Sequence, residues 1–215
     1  MSNFLAIDTA SPEIGVALLA DGQLFAWSGR VGRGSESALG QAVSDLLEKA
    51  DKLDGIVVSV GPGAFTSLRV GVATALGLAV ASGCKVLPIC SLKARSLGHE
   101  GRVLSLLDGR KERAYAALFE AGQQISEAVD WAPEKAIALA GDASFTAVGE
   151  GAVVWLDQLP PWAEIPDKPD ASPVVEMVRY FEANSDEAVL PEAISLRYLR
   201  APDATPPKDA PQQGA

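Results

Sequence analysis

An internal repeat at an offset of 100 positions is the feature of this 215-residue chain that most constrains its fold. Asp8 matches Asp108, and a Gly-Gln pair recurs at residues 22–23 and 122–123, with strand-like apolar residues in step between them. An acidic residue that ends a strand, followed by a turn at a shared offset, is the pattern of a duplicated structural unit. The repeat therefore predicts two subdomains of related topology.

Strands and helices alternate along the first half of the chain. An antiparallel strand pair is followed by an amphipathic helix over 35–50, the buried strand run GIVVS at 55–59, and a helix over 67–82 that Gly83 caps. This order is typical of an α/β fold, with residues buried on both faces of the central strands.

The repeat and the composition together predict the domain organisation. We expect a first subdomain over residues 1–100, a second over 101–200, and a disordered tail over 201–215. The tail is rich in proline and polar residues and has too little apolar surface to fold.

Charge and cysteine content exclude several classes of protein. The net charge of −10 has the wrong sign for binding nucleic-acid phosphates, so any nucleic acid is expected to be held by a partner. Cys84 and Cys90 match neither zinc-site nor redox-motif spacing, and we interpret them as reduced thiols.

The N-terminus lacks the pattern of a signal peptide, and the uncharged run 70–84 is shorter than the roughly 20 residues of a membrane span. We expect a cytoplasmic protein with no membrane contact.

The second helix carries an unusual number of small residues. Gly71 and Ala75 lie on one face, and Ala73 and Gly77 lie on an adjoining face. Glycine in a helix costs about 1 kcal/mol relative to alanine, so close contact with another element must offset that cost. Packing within the chain and a helix-bundle interface with another chain both account for this pattern.

Three further features are candidate sites. The Gly-Pro-Gly loop at 61–63 lacks the lysine of a Walker motif, which favours a tight turn that lets the helix lie close to the sheet. Asp8, Thr9 and Ser11 end the first strand, where they are candidates either for contacting nucleotide phosphates or for stabilising a turn. His99 is the only histidine, so no metal site with two histidines can form, and we interpret it as a surface turn residue.

The sequence resembles a known family in four segments: AIDTASPEIGVAL at 6–18, VSVGPGAFTSLRVGVATALGLA at 58–79, LLDGRKERAYAALF at 106–119 and YLR at 198–200. It is identified as a member of the TsaB family, also called YeaZ or Gcp-like, which belongs to the bacterial machinery that makes threonylcarbamoyladenosine in tRNA. The resemblance implies a duplicated actin-like ATPase (ASKHA) fold. This implication agrees with the repeat.

The resemblance also implies a role and partners. It implies a subunit without catalytic or metal-binding residues of its own, which forms a heterodimer with the catalytic subunit TsaD through a helix bundle. ATP and metal are then expected in the partner subunits, which include the ATPase TsaE, and tRNA is expected to bind only through the complex. The partner-binding residues assigned to the two helices are Leu39, Val43, Leu46, Arg69, Gly71, Ala75 and Leu78.

Three positions depart from the family pattern, and two other functions are compatible with parts of the sequence. Glu36, Ser67 and Leu196 stand where the family often has histidine, glycine and proline, which affects the partner details and not the family assignment. A stand-alone ATPase or small-molecule kinase with Asp8 and Thr9 at the phosphate end is the main alternative. A metallopeptidase would need metal ligands that this sequence does not offer, and a homodimer of the chain alone remains open.

Overall fold

The computed structural model describes residues 2–32 and 34–200, which form two β-sheets with helices packed on their faces. The strands are β1 (Phe4–Asp8), β2 (Glu13–Ala20), β3 (Gln23–Arg30), β4 (Gly55–Ser59), β5 (Lys85–Ile89), β6 (Arg102–Asp108), β7 (Ala114–Glu120), β8 (Gln123–Gln124), β9 (Val129–Trp131), β10 (Phe145–Val148) and β11 (Ala163–Glu164). The α-helices are α1 (Ser35–Leu47), α2 (Phe65–Ser82), α3 (Ser91–Ser96), α4 (Pro133–Ile137), α5 (Glu150–Val154) and α6 (Val174–Ala183). The predicted tail over 201–215 lies outside the described residues.

The two sheets share one topology. The first has the strand order β3-β2-β1-β4-β5, with β1 antiparallel to β2 and parallel to β4. The second has the order β11-β10-β6-β7-β8, with β6 antiparallel to β7 and parallel to β10, and its sixth strand, β9, also pairs with β7. Asp8 and Asp108 end the two equivalent strands, β1 and β6. The duplication that the repeat predicted is therefore confirmed.

The first sheet is buried on both faces because its central strands, β1 and β4, carry no polar side chain before their last residues, Asp8 and Ser59. Leu5 and Ile7 of β1 pack in one cluster with side chains of α1 and α2. Phe4 and Ala6, on the opposite face of the same strand, pack in a second cluster with α6. The result is a helix–sheet–helix sandwich around β1 and β4.

Helix α6 crosses the predicted boundary between the subdomains. It comes from the last quarter of the chain, yet Met177, Val178 and Phe181 are buried against the first sheet. The ring of Phe181 lies 4.7 Å from that of Phe4. Assigning residues 101–200 as a whole to the second subdomain therefore does not describe how this helix packs.

The second sheet has apolar clusters on both faces, and helix α3 connects it to the first sheet. Leu104 and Leu106 of β6 pack on one face with α4 and α5, and Val103 and Leu107 pack on the other. Helix α3 joins the two halves, because its Leu92 packs with the second sheet and its Ala94 with the first.

The two long helices follow the sequence prediction closely. Helix α2 was predicted over 67–82 and spans Phe65–Ser82, and Gly83 caps it in the left-handed conformation with a φ of 67°. Helix α1 was predicted over 35–50 and ends three residues earlier, at Leu47. The periodicity of apolar residues was thus sufficient to locate both helices.

Candidate functional site

A cleft of about 420 Å³ lies between the two subdomains. It is lined by residues 62–65 after β4, by residues 108–110 after β6, by Glu150 after β10, and by the C-terminal segment 197–200. In open α/β sheets, ligands bind outside the carboxyl ends of the parallel strands. The cleft occupies this position for both sheets at once, so it is the first candidate for a functional site.

The Gly-Pro-Gly loop on one wall of the cleft is built for close packing. The backbone N–H of Gly61 donates to Ser91 Oγ at 3.1 Å, and the N–H of Ala64 donates to the Ala10 carbonyl at 3.0 Å. A Cβ atom at Gly61 would overlap the Arg197 carbonyl, and one at Gly63 would overlap the Ala10 carbonyl. The glycines therefore let two backbone segments approach the loop, as the tight-turn interpretation predicted.

Asp8, Thr9 and Ser11 do not line the cleft, and all three are buried. The Asp8 carboxylate accepts hydrogen bonds from Ser59 Oγ at 2.5 Å and from Arg95 Nη2 at 2.9 Å. The same Arg95 nitrogen donates to Ser11 Oγ at 3.0 Å, and Thr9 Oγ1 donates to the Ser67 carbonyl at 2.8 Å. The prediction that these three residues contact a nucleotide is therefore corrected. Their polar atoms bond within the protein, and Arg95 supplies the positive charge beside Asp8.

Arg95 is a buried charged residue that the sequence did not predict. It lies on α3 with its side chain buried, 87 positions from its partner Asp8. Its neighbour Lys93 on the same short helix instead reaches outward to the Gly122 carbonyl. Nothing in the pattern SLKARS distinguishes a buried arginine from a half-buried lysine.

The opposite wall of the cleft is a charged turn that follows β6. Arg110, Lys111 and Glu112 all have positive φ, from 54° to 62°. Asp108 stabilises this conformation, because it accepts hydrogen bonds from the Arg110 N–H at 2.8 Å and from the Arg110 guanidinium at 2.7 Å. Across the cleft, Arg200 donates to the Gly109 carbonyl at 2.9 Å. Non-glycine residues in this conformation are uncommon and concentrate at functional sites.

Glu150 is the buried acid of the cleft, with only 6% of its surface exposed. Burial raises its pKa above the ordinary value of 4.5; Arg110 and Arg95 oppose this shift, and Asp108 adds to it. The folded protein therefore holds this proton more tightly than the unfolded chain does. As a result, Glu150 lowers stability as the pH rises through and above its ordinary pKa.

The variant Glu150→Gln tests this pH dependence. Glutamine cannot lose a proton, so the free energy of unfolding of the variant should rise relative to wild type as the pH is raised from acid to neutral. Urea unfolding at a series of pH values measures the difference. The exposed Glu182→Gln should follow wild type throughout, and a difference at Glu150 that does not change with pH would contradict the expectation.

Most of the predicted partner-binding residues are in the core. Leu39, Val43 and Leu46 of α1 and Gly71 and Ala75 of α2 are buried against the first sheet. A Cβ atom at Gly71 would overlap Thr9 Oγ1, so this glycine lets α2 lie close to β1. Those five residues are therefore corrected from partner contacts to core contacts.

Two of the predicted residues remain at the surface. Leu78 is partly buried, and Arg69 is exposed, with its guanidinium 3.8 Å from the Phe65 ring centroid. The outward face of α2 is the adjoining one, which we call the small-residue face; it consists of Ala73, Gly77 and Val80. Nothing lies within 4 Å of a Cβ atom at Gly77, and Val80 is 72% exposed.

Within residues 2–32 and 34–200, no three His, Cys, Asp or Glu side chains group together in a way that could hold a metal ion. Helix α2 is long and apolar enough to cross a membrane, but that is weak evidence, because core helices pass the same test. One side of α2 packs on the first sheet through Leu68, Val72 and Ala79.

Two α/β units that share the order of five strands, on either side of a cleft, define a protein of the actin-like ATPase fold. The sequence matches the family model described as TsaD, tRNA N6-adenosine threonylcarbamoyltransferase, over residues 31–151. An uncharacterized protein of Mycobacterium tuberculosis is 31% identical over 96% of this chain and 95% of its own length. The chain belongs to this family and, within it, to the TsaB/YeaZ group.

Two further relatives support the assignment to that group. The tRNA threonylcarbamoyladenosine biosynthesis protein TsaB of Bacillus subtilis is 30% identical over 63% of this chain and 62% of its own length. The solved structure of YeaZ from Pseudomonas aeruginosa is 26% identical, has a TM-score of 0.77, and covers 93% of this chain and 100% of its own.

Proposed function

We propose that this chain is a non-catalytic scaffold and activating subunit of the machinery that makes N6-threonylcarbamoyladenosine in tRNA. Membership of the TsaB/YeaZ group supports a role in this modification, because relatives in the group are named for it. In this proposal a TsaD-type subunit performs the chemistry and forms a heterodimer with this chain in the cytoplasm. ATP and metal bind in the partner subunits, which include a TsaE-type ATPase.

The observation that carries the proposal is the small-residue face of α2. Ala73 and Gly77 are exposed on a helix whose opposite side already packs on the sheet, so intramolecular packing does not account for them. Small residues let a second helix approach closely, which increases van der Waals contact between the two backbones. We infer that a helix of the TsaD-type subunit packs on this face, with Arg69 and Leu78 at its borders.

Two other observations support a subunit that works through partners. The buried ion pair of Asp8 with Arg95 leaves no exposed phosphate loop at the end of β1, which weakens the stand-alone ATPase alternative. The net charge of −10 disfavours direct binding of tRNA by this chain. tRNA would then be held by the complex.

The variants Gly77→Leu and Gly71→Leu separate the two faces of α2. Overpacking a close contact costs about 1–3 kcal/mol, so Gly77→Leu should weaken pairing with the TsaD-type subunit about tenfold or more. Its own stability should be unchanged or higher, because glycine is a poor helix former. Gly71→Leu should instead lower the free energy of unfolding by about 1–3 kcal/mol, since it overlaps Thr9. Size-exclusion chromatography with the partner and urea unfolding measure the two effects.

The matched control is Ala183→Leu, which enlarges an exposed small residue on α6, on the other face of the first sheet. It should pair as wild type does. If Gly77→Leu is stable and still co-elutes with the TsaD-type subunit, the small-residue face is not the interface and the proposed pairing mode fails.

A further inference from the structure

One edge of the first sheet is a long strand with a neighbour on one side only. Strand β3 is the outermost in the order β3-β2-β1-β4-β5, and it pairs with β2 over eight consecutive residues without a bulge. In the part of the chain that the structure describes, no backbone hydrogen bond joins β3 to any segment other than β2. The opposite edge of this sheet is partly covered, because Val86 of β5 pairs with Val189. The free N–H and C=O groups of β3 therefore form an open edge.

Strand β3 lacks the features by which proteins usually protect such an edge. Natural edge strands are often very short, or carry proline, lysine or a bulge. The sequence of β3, QLFAWSGR, has no proline and one charged residue, Arg30, whose guanidinium is paired with Asp170 at 3.2 Å. An unprotected edge of this kind is a template for pairing with another extended segment.

A groove between β3 and α1 has room for a large side chain. Its volume is about 280 Å³, just below the roughly 300–1,000 Å³ of small-molecule sites. The residues that line it are Trp27 of β3 and Ala38, Gln41, Ala42, Asp45 and Leu46 of α1. Because β3 is the only strand that contributes to this lining, the groove lies at the open edge of the sheet.

The side chains of β3 alternate between the two faces of the sheet. Phe25 and Trp27 pack against the cluster that contains α1, whereas Leu24 and Ala26 are exposed. A strand added beside β3 would alternate in the same way, because side chains of neighbouring strands that lie opposite each other share a face. Every second side chain of the added strand would therefore lie on the α1 face, next to the groove.

The charge at the groove favours a basic partner. Asp45 is exposed, and its carboxylate accepts a hydrogen bond from Gln41 Nε2 at 2.7 Å. Among the described residues Asp45 makes no ion pair, and α1 contains no lysine or arginine. A second copy of this chain fits poorly, because joining two β3 strands in one continuous sheet would place both α1 helices on the same face, with their Asp45 sides toward each other.

We propose that the β3 edge binds an extended segment of another protein, which adds to the first sheet as an additional edge strand. An apolar side chain of that segment enters the groove beside Trp27. A lysine or arginine two residues away, on the same face, pairs with Asp45. This site uses no residue of the small-residue face or of the cleft and does not depend on the proposed function.

A short peptide in which threonine alternates with leucine and lysine tests the site by titration into the full chain. It should bind saturably, and the amides of β3 should then shift in NMR spectra and exchange more slowly with solvent. Replacing the peptide lysine with glutamate should weaken binding about two- to fivefold, the range of an exposed ion pair.

N-methylation of the peptide tests the pairing of backbones. The amide N–H groups of a strand point alternately to its two sides, so either the threonine amides or the leucine and lysine amides face β3. Methylating the set that faces β3 should weaken binding about tenfold or more, because it removes several hydrogen bonds. Methylating the other set is the matched control and should leave binding close to that of the parent peptide.

Variants of α1 test the groove and its charge. Asp45→Lys should reverse the preference, so that the glutamate peptide binds more tightly than the lysine peptide. The matched control Glu36→Lys changes an exposed acid of α1 outside the groove lining and should keep the wild-type preference. Ala38→Leu fills part of the groove and should weaken binding, while urea unfolding checks that the variant is as stable as wild type.

Several outcomes would overturn the proposal. It is wrong if the lysine peptide does not saturate, if both methylated peptides bind as the parent does, or if Asp45→Lys leaves the preference unchanged. Wild-type affinity in Ala38→Leu would remove the groove from the site. A dimer of the full chain that the peptide dissociates would assign the edge to a second copy instead of another protein.

Discussion

Replacing Arg95 with methionine should lower the free energy of unfolding by about 3–5 kcal/mol, the usual cost of removing one partner of a buried ion pair. The side chains of Arg95 and Asp8 are 1% and 0% exposed, so solvent cannot compensate for the lost charge. The variant would leave the Asp8 carboxylate buried with hydroxyl and amide donors only. Urea unfolding of the variant and wild type measures the loss.

A double variant separates the ion pair from general packing. Arg95→Met combined with Asp8→Asn removes both charges, and replacing both members of a buried pair is far less costly than removing one. The double variant should therefore be more stable than Arg95→Met alone. If Arg95→Met costs less than about 1 kcal/mol, the charge at Asp8 is stabilised by other groups and the assigned role of Arg95 is wrong.

Replacing Phe181 with alanine should lower the free energy of unfolding by about 3–5 kcal/mol, as expected when a large buried aromatic side chain is removed. Phe181 is 2% exposed, and its ring packs against Phe4 and against the backbone at Gly55, where a Cβ atom would overlap it. The variant would open a cavity between α6 and the first sheet. The exposed Glu182→Ala on the same helix should change stability by no more than about 0.5 kcal/mol.

The outcome at Phe181 also tests how the chain is organised. If α6 belonged to a second subdomain that folds by itself, Phe181→Ala would leave β1 and β4 as stable as in wild type. We expect the opposite, with amide hydrogen exchange in β1 and β4 accelerated in the variant. Unchanged exchange in those strands would contradict the packing of α6 on the first sheet.

The architecture could be predicted from sequence because its signals are local or periodic. The offset of 100 positions between Asp8 and Asp108 predicted two units with one topology, and both sheets have that topology. Continuous apolar runs located the buried strands, such as Gly55–Ser59, and helical spacing located α1 and α2. The Gly-Pro-Gly loop was correctly interpreted as a packing turn, because a phosphate loop requires residues that this sequence lacks.

The faces and partners of these elements depended on the tertiary structure. Helix α2 has small residues on two adjoining faces, so composition alone cannot tell which of them packs inward. Gly71 lies against Thr9, so the face of α2 that carries Gly71 packs on the first sheet. Ala73 and Gly77 lie on the face of the helix that is exposed to solvent. Gly71 and Ala75, which were predicted to bind a partner, are buried for this reason, and Leu39, Val43 and Leu46 are buried because that face of α1 packs on the first sheet.

The features that the sequence did not predict depend on contacts between residues that are far apart in the chain. Arg95 meets Asp8 across 87 positions, α6 returns to the first sheet, and residues 197–200 close the cleft beside the loop after β4. The amino-acid sequence by itself determined which segments become strands and helices and that their order is repeated, because backbone propensity and apolar periodicity act over neighbouring residues. Only the tertiary structure decided which side chains are buried ion pairs, which helix face meets solvent and where the cleft lies, because these depend on packing between segments far apart in the chain.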